Sequence, residues 1–219
     1  SDVEQLLAQV NDDTYWENIA HLQLLNGDVL ANHVVRTYVN NILNNDYFNA
    51  PFQYIASEKQ LNVNFNNIRL HGIADRIDMK GDILRMIDYK TGKTDLVYDT
   101  MANVFGIVTP EKEDSVMVRN KGKRQILQTL LYCWLYATSC GESVQIVPYI
   151  YPARKLAPED MPAVEYKGRL LVFDKDIQQE FVSELQSLLD EMFDMNQPFY
   201  PTTDLHTCES CAFAQLCKG

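Results

Sequence analysis

No stretch of about 18 consecutive apolar residues occurs in the 219-residue chain, so the sequence supplies no helix able to span a bilayer. Positive charge is also scarce: 19 Lys and Arg stand against 30 Asp and Glu, a formal net charge of −11. A free-standing protein that coats nucleic acid is normally basic, which disfavours that role. An enzyme that meets nucleic acid through a local patch, or through a partner subunit, remains compatible with the acidity. No basic-then-apolar leader opens the chain, and five cysteines, an odd number, do not make a disulfide framework. Both point to a reducing, cytoplasmic setting. A glycine-rich phosphate cradle is missing too. Gly92-Lys93-Thr94 has the ending of a P-loop, but Ile87 stands where that motif needs its first glycine, so ATP hydrolysis is not expected.

What is present suffices for one well-buried core: 46% of the residues are hydrophobic, and neither a repeat nor a low-complexity segment interrupts them. A single domain over residues 1–219 is expected, with a helical lead-in (1–50), a sheet segment (51–92), a loop insertion (93–123), a helix–strand–helix segment (124–196) and a cysteine-containing tail (197–219). Val29, Val34, Val35, Tyr38, Val39, Ile42 and Leu43 recur at helical spacing, predicting a helix that ends near Asn44–Asp46 and is broken by Ala50-Pro51. Alternation in Tyr54–Ala56 and Leu61–Phe65, then Asn66-Asn67, predicts short strands and a hairpin into Ile68. Ile68–Ile73 and Ile83–Asp88 read as an antiparallel pair turned at Lys80–Asp82.

Further on, Gln125–Ser139 predicts a helix with Ile126, Leu127, Leu130, Leu131, Trp134 and Leu135 inward, and Cys133 and Cys140 as buried thiols. Val144–Tyr151 and Leu170–Phe173 predict strands. Asp174–Asn196 predicts an amphipathic helix capped by Asp174, with Phe181, Leu185, Leu188, Leu189, Met192 and Phe193 as its stripe.

The most informative segment is Gly72-Ile73-Ala74-Asp75-Arg76-Ile77-Asp78, followed by Ile87-Asp88-Tyr89-Lys90-Thr91-Gly92. Asp75 and Asp88 lie thirteen residues apart on strands that can pair, and Lys90 shares the face of Asp88 because residues two apart on a strand point the same way. Two carboxylates are hard oxygen ligands suited to Mg²⁺, and an adjacent lysine can orient or deprotonate a water. An Asp-x-Lys by itself is ordinarily a surface ion pair. The combined pattern resembles the RecB/AddB branch of the PD-(D/E)xK nucleases, as does the Q-x-x-x-Y formed by Gln128 and Tyr132.

That resemblance implies a restriction-endonuclease-like α/β (α+β) core, a curved mixed or antiparallel sheet flanked by helices. It makes Asp75, Asp88 and the backbone carbonyl of Tyr89 the ligands of Mg²⁺ or Mn²⁺, Lys90 the catalytic lysine, and Gln128 and Tyr132 its support. The implied activity is DNA hydrolysis of exonuclease type in recombinational repair, alongside a helicase domain or subunit. The alternative is a catalytically incompetent DNA-end-binding or scaffold module of such a complex. The family's first motif, a histidine or glutamate on an earlier helix, has His21 and His33 as candidates, but neither stands in the usual context. The run from Asn26 through Asp46, then Ala50-Pro51-Phe52 and Glu58-Lys59, more resembles the segment between that helix and the sheet, so the helix is expected upstream of Ser1, in a longer protein. Glu58, ending a strand that leads into the sheet, is a better metal-side candidate.

Two clusters stay open between readings. Arg119, Lys121, Lys123 and Arg124 form a phosphate-contacting patch or a solvated loop. Cys208, Cys211 and Cys217 resemble the terminal cysteines of an iron–sulfur staple seen in AddB-like nucleases, yet no cysteine precedes Cys133 to complete it. The fourth ligand lies in sequence upstream of this chain, or His206 serves, or the thiols are simply packed.

Overall fold

In the computed structural model, Asn66 and Asn67 both take positive φ, 48° and 65°, the backbone of a two-residue turn whose twist matches antiparallel strands. They join β1 (Gln53–Phe65) to β2 (Ile68–Lys80), so the predicted short runs are in fact two thirteen-residue strands. A register shift between Tyr54 and Ala56 interrupts the alternation of β1, which is why its sequence reads as fragments. A turn through Gly81, at φ 61°, leads to β3 (Ile83–Lys90). β2 pairs with β3 only from Arg76↔Ile87 to Lys80↔Ile83, whereas Ile68–Ile73 pairs with β1. The predicted pairing of Ile68–Ile73 with Ile83–Asp88 is therefore corrected by the length of β2.

The structure describes residues 29–106, 123–140 and 144–196, with positions 5, 6, 8, 9, 12, 209 and 211–214. The chain divides into two units, Ser1–Glu184 and Leu185–Gly219. In the first, α1 (Val29–Asn49) precedes β1, and the segment after β3 contains β4 (Val97–Tyr98) and α2 (Met101–Phe105). Thr100 caps α2 by accepting from the Asn103 amide, and Gly106 closes it at φ 73°. The supposed loop insertion thus carries regular structure where it is described. Next come α3 (Arg124–Cys140), β5 (Gln145–Pro152), β6 (Glu165–Tyr166), β7 (Arg169–Leu170) and α4 (Lys175–Phe193). The main sheet has the order β1-β2-β3-β5 with β5 parallel to β3, so it is mixed; β4, β6 and β7 form a second, small sheet. The predicted strand Leu170–Phe173 is paired only at Arg169–Leu170, and the β6–β7 turn at Lys167-Gly168 escaped notice because each strand has two residues.

Ile87, Val147, Tyr149, Tyr151, Leu156 and Ala163 make the core beneath the β3–β5 pair. On α3, Ile126, Leu130, Trp134 and Leu135 are buried as expected, but Leu127 and Leu131 are half-buried while Thr129, Tyr132 and Cys133 are buried. Trp134 meets the Phe65 ring edge-on at 5.4 Å, and Phe181 of α4 packs with Phe105 and Phe173. Asp174 caps α4 by accepting from the amides of Asp176 and Ile177. In the second unit Leu185 and Leu189 are buried, but Met192 and Phe193 are exposed, so the apolar stripe is shorter than its sequence suggests.

α1 is held differently from what its apolar spacing predicts. Val34, Val35, Tyr38, Val39, Ile42 and Leu43 are only half-buried, and the buried residues are Asn45, Asp46 and Asn49. Asn41, Asn45 and Asn49, one turn apart, donate to the carbonyls of Ala153, Arg154, Ala157, Pro158 and Asp160. The helix runs to Asn49, past the predicted end, because these bonds secure its final turn.

Of the described cysteines, Cys133 is fully buried and burial pushes its thiol well above the ordinary range. Cys140 is exposed at the helix end, correcting its expected burial. A thiol-reactive disulfide followed by peptide mapping should therefore label Cys140 in the native protein and reach Cys133 only on unfolding. Rapid native labelling of Cys133 would contradict the packing of α3.

Candidate active site

The β2–β3 ladder stops at Arg76↔Ile87, one step short of Asp75 and Asp88. Beyond it the Tyr89 amide donates 2.8 Å to Asp75 Oδ2, so a side chain takes over where a main-chain acceptor would continue the ladder. This anchors Asp75, half-buried, against the strand that carries Asp88.

Asp88 is completely buried. Lys90 Nζ lies 2.7 Å from Asp88 Oδ2, a buried ion pair, while among the described residues Asp88 Oδ1 has no hydrogen-bond partner. Burial holds the Asp88 carboxyl above the usual carboxylate range; the Lys90 ammonium draws it back and the Asp75 charge raises it further. The last effect places the two acids within electrostatic reach of one another. Lys90 Nζ also donates 2.8 Å to Gln128 Oε1, and Gln128 Nε2 donates 2.6 Å to the Tyr132 hydroxyl. The amide has one consistent orientation here, because a lysine ammonium can only donate. Helical spacing of four sets Gln128 and Tyr132 on one face of α3, and that face meets β3.

Gly72 explains why the group fits together. A β-carbon there would stand 2.6 Å from Tyr132 Cε1, closer than packed atoms tolerate, so α3 can lie against β2 only over a residue without a side chain. Gly72→Ala should displace the Tyr132 ring and lower stability by about 1–3 kcal/mol in urea unfolding. An unchanged unfolding midpoint would show that the ring moves freely.

The rest of the G-I-A-D-R-I-D string builds a second, buried assembly. Arg76 Nε donates 2.8 Å to Asp78 Oδ2, and its Nη1 donates 2.7 Å to Asp46 Oδ2 and 3.1 Å to the Tyr89 hydroxyl. Arg85 Nη2 donates 2.9 Å to Asp78 Oδ2, and both guanidinium groups lie within about 5 Å of the Phe52 ring, at 4.8 and 5.1 Å. Burial raises the Asp46 carboxyl despite Arg76, and raises the Tyr89 hydroxyl as well. The sequence signal for this cluster is three charges in otherwise apolar strand positions, Arg76, Asp78 and Arg85, with Asp46 near the end of α1.

Other predicted residues are not gathered into the site. Glu58, at φ 48°, is exposed and has no partner in the β1–β2 register between Ser57↔Arg76 and Lys59↔Ala74, and among the described residues no three His, Cys, Asp or Glu side chains are arranged to hold a metal. His33 is exposed on α1, and His21 lies outside the described residues. Lys123 is paired with Asp95 at 2.6 Å and Arg124 is exposed at the start of α3, while Arg119 and Lys121 lie outside the described residues. Cys211 is an exposed free thiol; Cys208, Cys217 and His206 lie outside the described residues.

No curated protein and no solved structure is a significant match to the chain. The profile of the PD-(D/E)XK nuclease superfamily, in contrast, matches residues 1–218. A mixed sheet flanked by helices is also the architecture expected of that superfamily's restriction-endonuclease-like core. Matched over residues 1–218, the chain belongs to the PD-(D/E)XK nuclease superfamily.

Proposed function

We propose that this nuclease domain hydrolyses DNA phosphodiesters with Mg²⁺ or Mn²⁺, as an exonuclease of recombinational repair acting in the cytoplasm on ends delivered by a helicase domain or subunit. The metal requirement rests on one observation above all: Asp88 is a fully buried carboxylate with Lys90 against one oxygen and, among the described residues, no hydrogen bond to the other. Leaving the second oxygen bare in the interior is costly, and a divalent cation shared with Asp75 is the natural compensation. The donor set fits a small, hard ion, because Mg²⁺ commonly takes one or two carboxylates and keeps waters for the remaining positions. Asp75, Asp88 and the Tyr89 carbonyl would hold it.

When bound, the ion supplies a more acidic water and stabilises charge on the phosphoryl oxygens. Lys90 keeps donor capacity beyond Asp88 and Gln128, and with it orients a water or a phosphate oxygen. Gln128 and Tyr132 fix the ammonium in place. The repair role, exonuclease mode and helicase coupling rest on the likeness of the Gly72–Asp78 and Ile87–Gly92 strings to RecB/AddB nucleases. An iron–sulfur cluster on Cys208, Cys211 and Cys217 belongs, on this reading, to a longer chain with a fourth cysteine.

Incubating the protein with end-labelled DNA and Mg²⁺ or Mn²⁺, with and without EDTA, tests the proposal. Metal-dependent shortening supports it. DNA that is bound but stays intact at every metal concentration favours the scaffold module.

A further inference from the structure

An acidic protein that carries two carboxylates at its site must find positive charge nearby if a phosphate backbone is to cross that site. The loop after β5 supplies it. β5 runs parallel to β3 with Pro152 paired to Lys90, and the next amide, Ala153 N–H, donates 2.9 Å to the Lys90 carbonyl. Arg154 and Lys155 follow at once, both exposed and without an ion pair among the described residues.

Their backbone is held unusually well for an exposed segment. Ala153 and Leu156, on either side, are each only 3% exposed, and Leu156 belongs to the core beneath β3 and β5. Lys155 N–H donates to the Pro152 carbonyl, while the Asn41 amide donates to the carbonyls of Ala153 and Arg154 at 3.0 and 3.2 Å. Of the loop's acids, Asp160 turns inward to accept from the Ala157 amide, and neither Asp160 nor Glu159 forms an ion pair with Arg154 or Lys155 among the described residues.

Resting on the nuclease reading above, we propose that Arg154 and Lys155 are the substrate-backbone contact of this site, binding the phosphates next to the one presented to Lys90. Asn41 is a positioning residue that sets their register. Phosphate contacts of this kind position the strand and carry no base information.

Steady-state cleavage of end-labelled DNA over a series of salt concentrations tests this with wild type, R154A/K155A, R154E/K155E and the charge-keeping swap R154K/K155R, each checked for unchanged thermal unfolding. Removing two phosphate contacts should make the dependence of log kcat/KM on log salt shallower by about 1.8 for duplex and about 1.4 for single strands. KM should rise, most in the charge-reversed variant and least in the charge-keeping swap, while kcat at saturating DNA changes far less. A wild type that cuts DNA beside neutralised variants with its KM and salt slope would overturn the assignment and leave the nuclease reading intact. A wild type that cuts no DNA with any metal would overturn both.

Discussion

Asp88→Ala is expected to remove both metal binding and metal-dependent cleavage, whereas Lys90→Ala should remove cleavage and spare the metal. The difference follows from what each group touches. Asp88 presents its carboxylate to whatever fills the site, while Lys90 Nζ lies between Asp88 and Gln128 and keeps a further donor for water or phosphate. A lysine that positions or activates water is worth about 10²–10⁴ in kcat, so Lys90→Ala should fall by that factor with Mn²⁺ affinity, followed by calorimetric titration, nearly unchanged. A Lys90→Ala protein with wild-type kcat would move the chemistry elsewhere.

Asp88 should also show its function through stability. Burial raises its carboxyl, so without metal the charged form is held at a cost to the fold. Asp88→Asn in EDTA should therefore unfold at the same temperature as wild type or higher. A large loss of stability would identify Asp88 as a structural partner of Lys90 instead.

The neighbourhood of Asp88 with Lys90 and of Gln128 with Tyr132 was legible because spacing couples directly to strand and helix periods, whereas the roles given to these residues and to Asp75 come from the family resemblance. A two-residue step on β3 and a four-residue step on α3 each put a pair on one face. The same logic failed where burial is polar. The Asn41–Asn45–Asn49 ladder looks like a hydrophilic helix face, yet Asn45 and Asn49 are buried and their amides satisfy the carbonyls of a turn 109 to 115 residues away. Hydrophobic spacing is silent on such contacts, since what compensates the burial is hydrogen bonding to residues remote in sequence. Strand ends were misjudged for a related reason. β2 continues through Asp75–Asp78 because pairing with β1 and β3, and the ion cluster, compensate charges that a local reading takes as the end of a strand.

That cluster should give the largest stability effect in the chain. Arg85 is 1% exposed and Asp78 is fully buried; Arg76 and Asp46, each 7% exposed, complete two pairs of opposite charge. Truncating one member leaves an uncompensated charge in the interior, so Arg85→Ala should cost about 3–5 kcal/mol, a large share of the ~5–15 kcal/mol that holds a typical domain together. Replacing both partners, as Asp78→Leu with Arg85→Met, should cost much less than the two single changes combined, because no orphaned charge remains. Urea unfolding of the two single variants and the double variant measures that coupling. A loss below about 1 kcal/mol for Arg85→Ala would mean that water reaches the cluster. Its location links stability to function: Arg76 follows Asp75 and bonds the hydroxyl of Tyr89, the residue between Asp88 and Lys90. The site therefore stands on the cluster. A weakened cluster should loosen the Tyr89 amide from Asp75 before the sheet unfolds, appearing as faster hydrogen exchange at Tyr89 in Arg85→Ala while the Met86 amide of β3 stays protected.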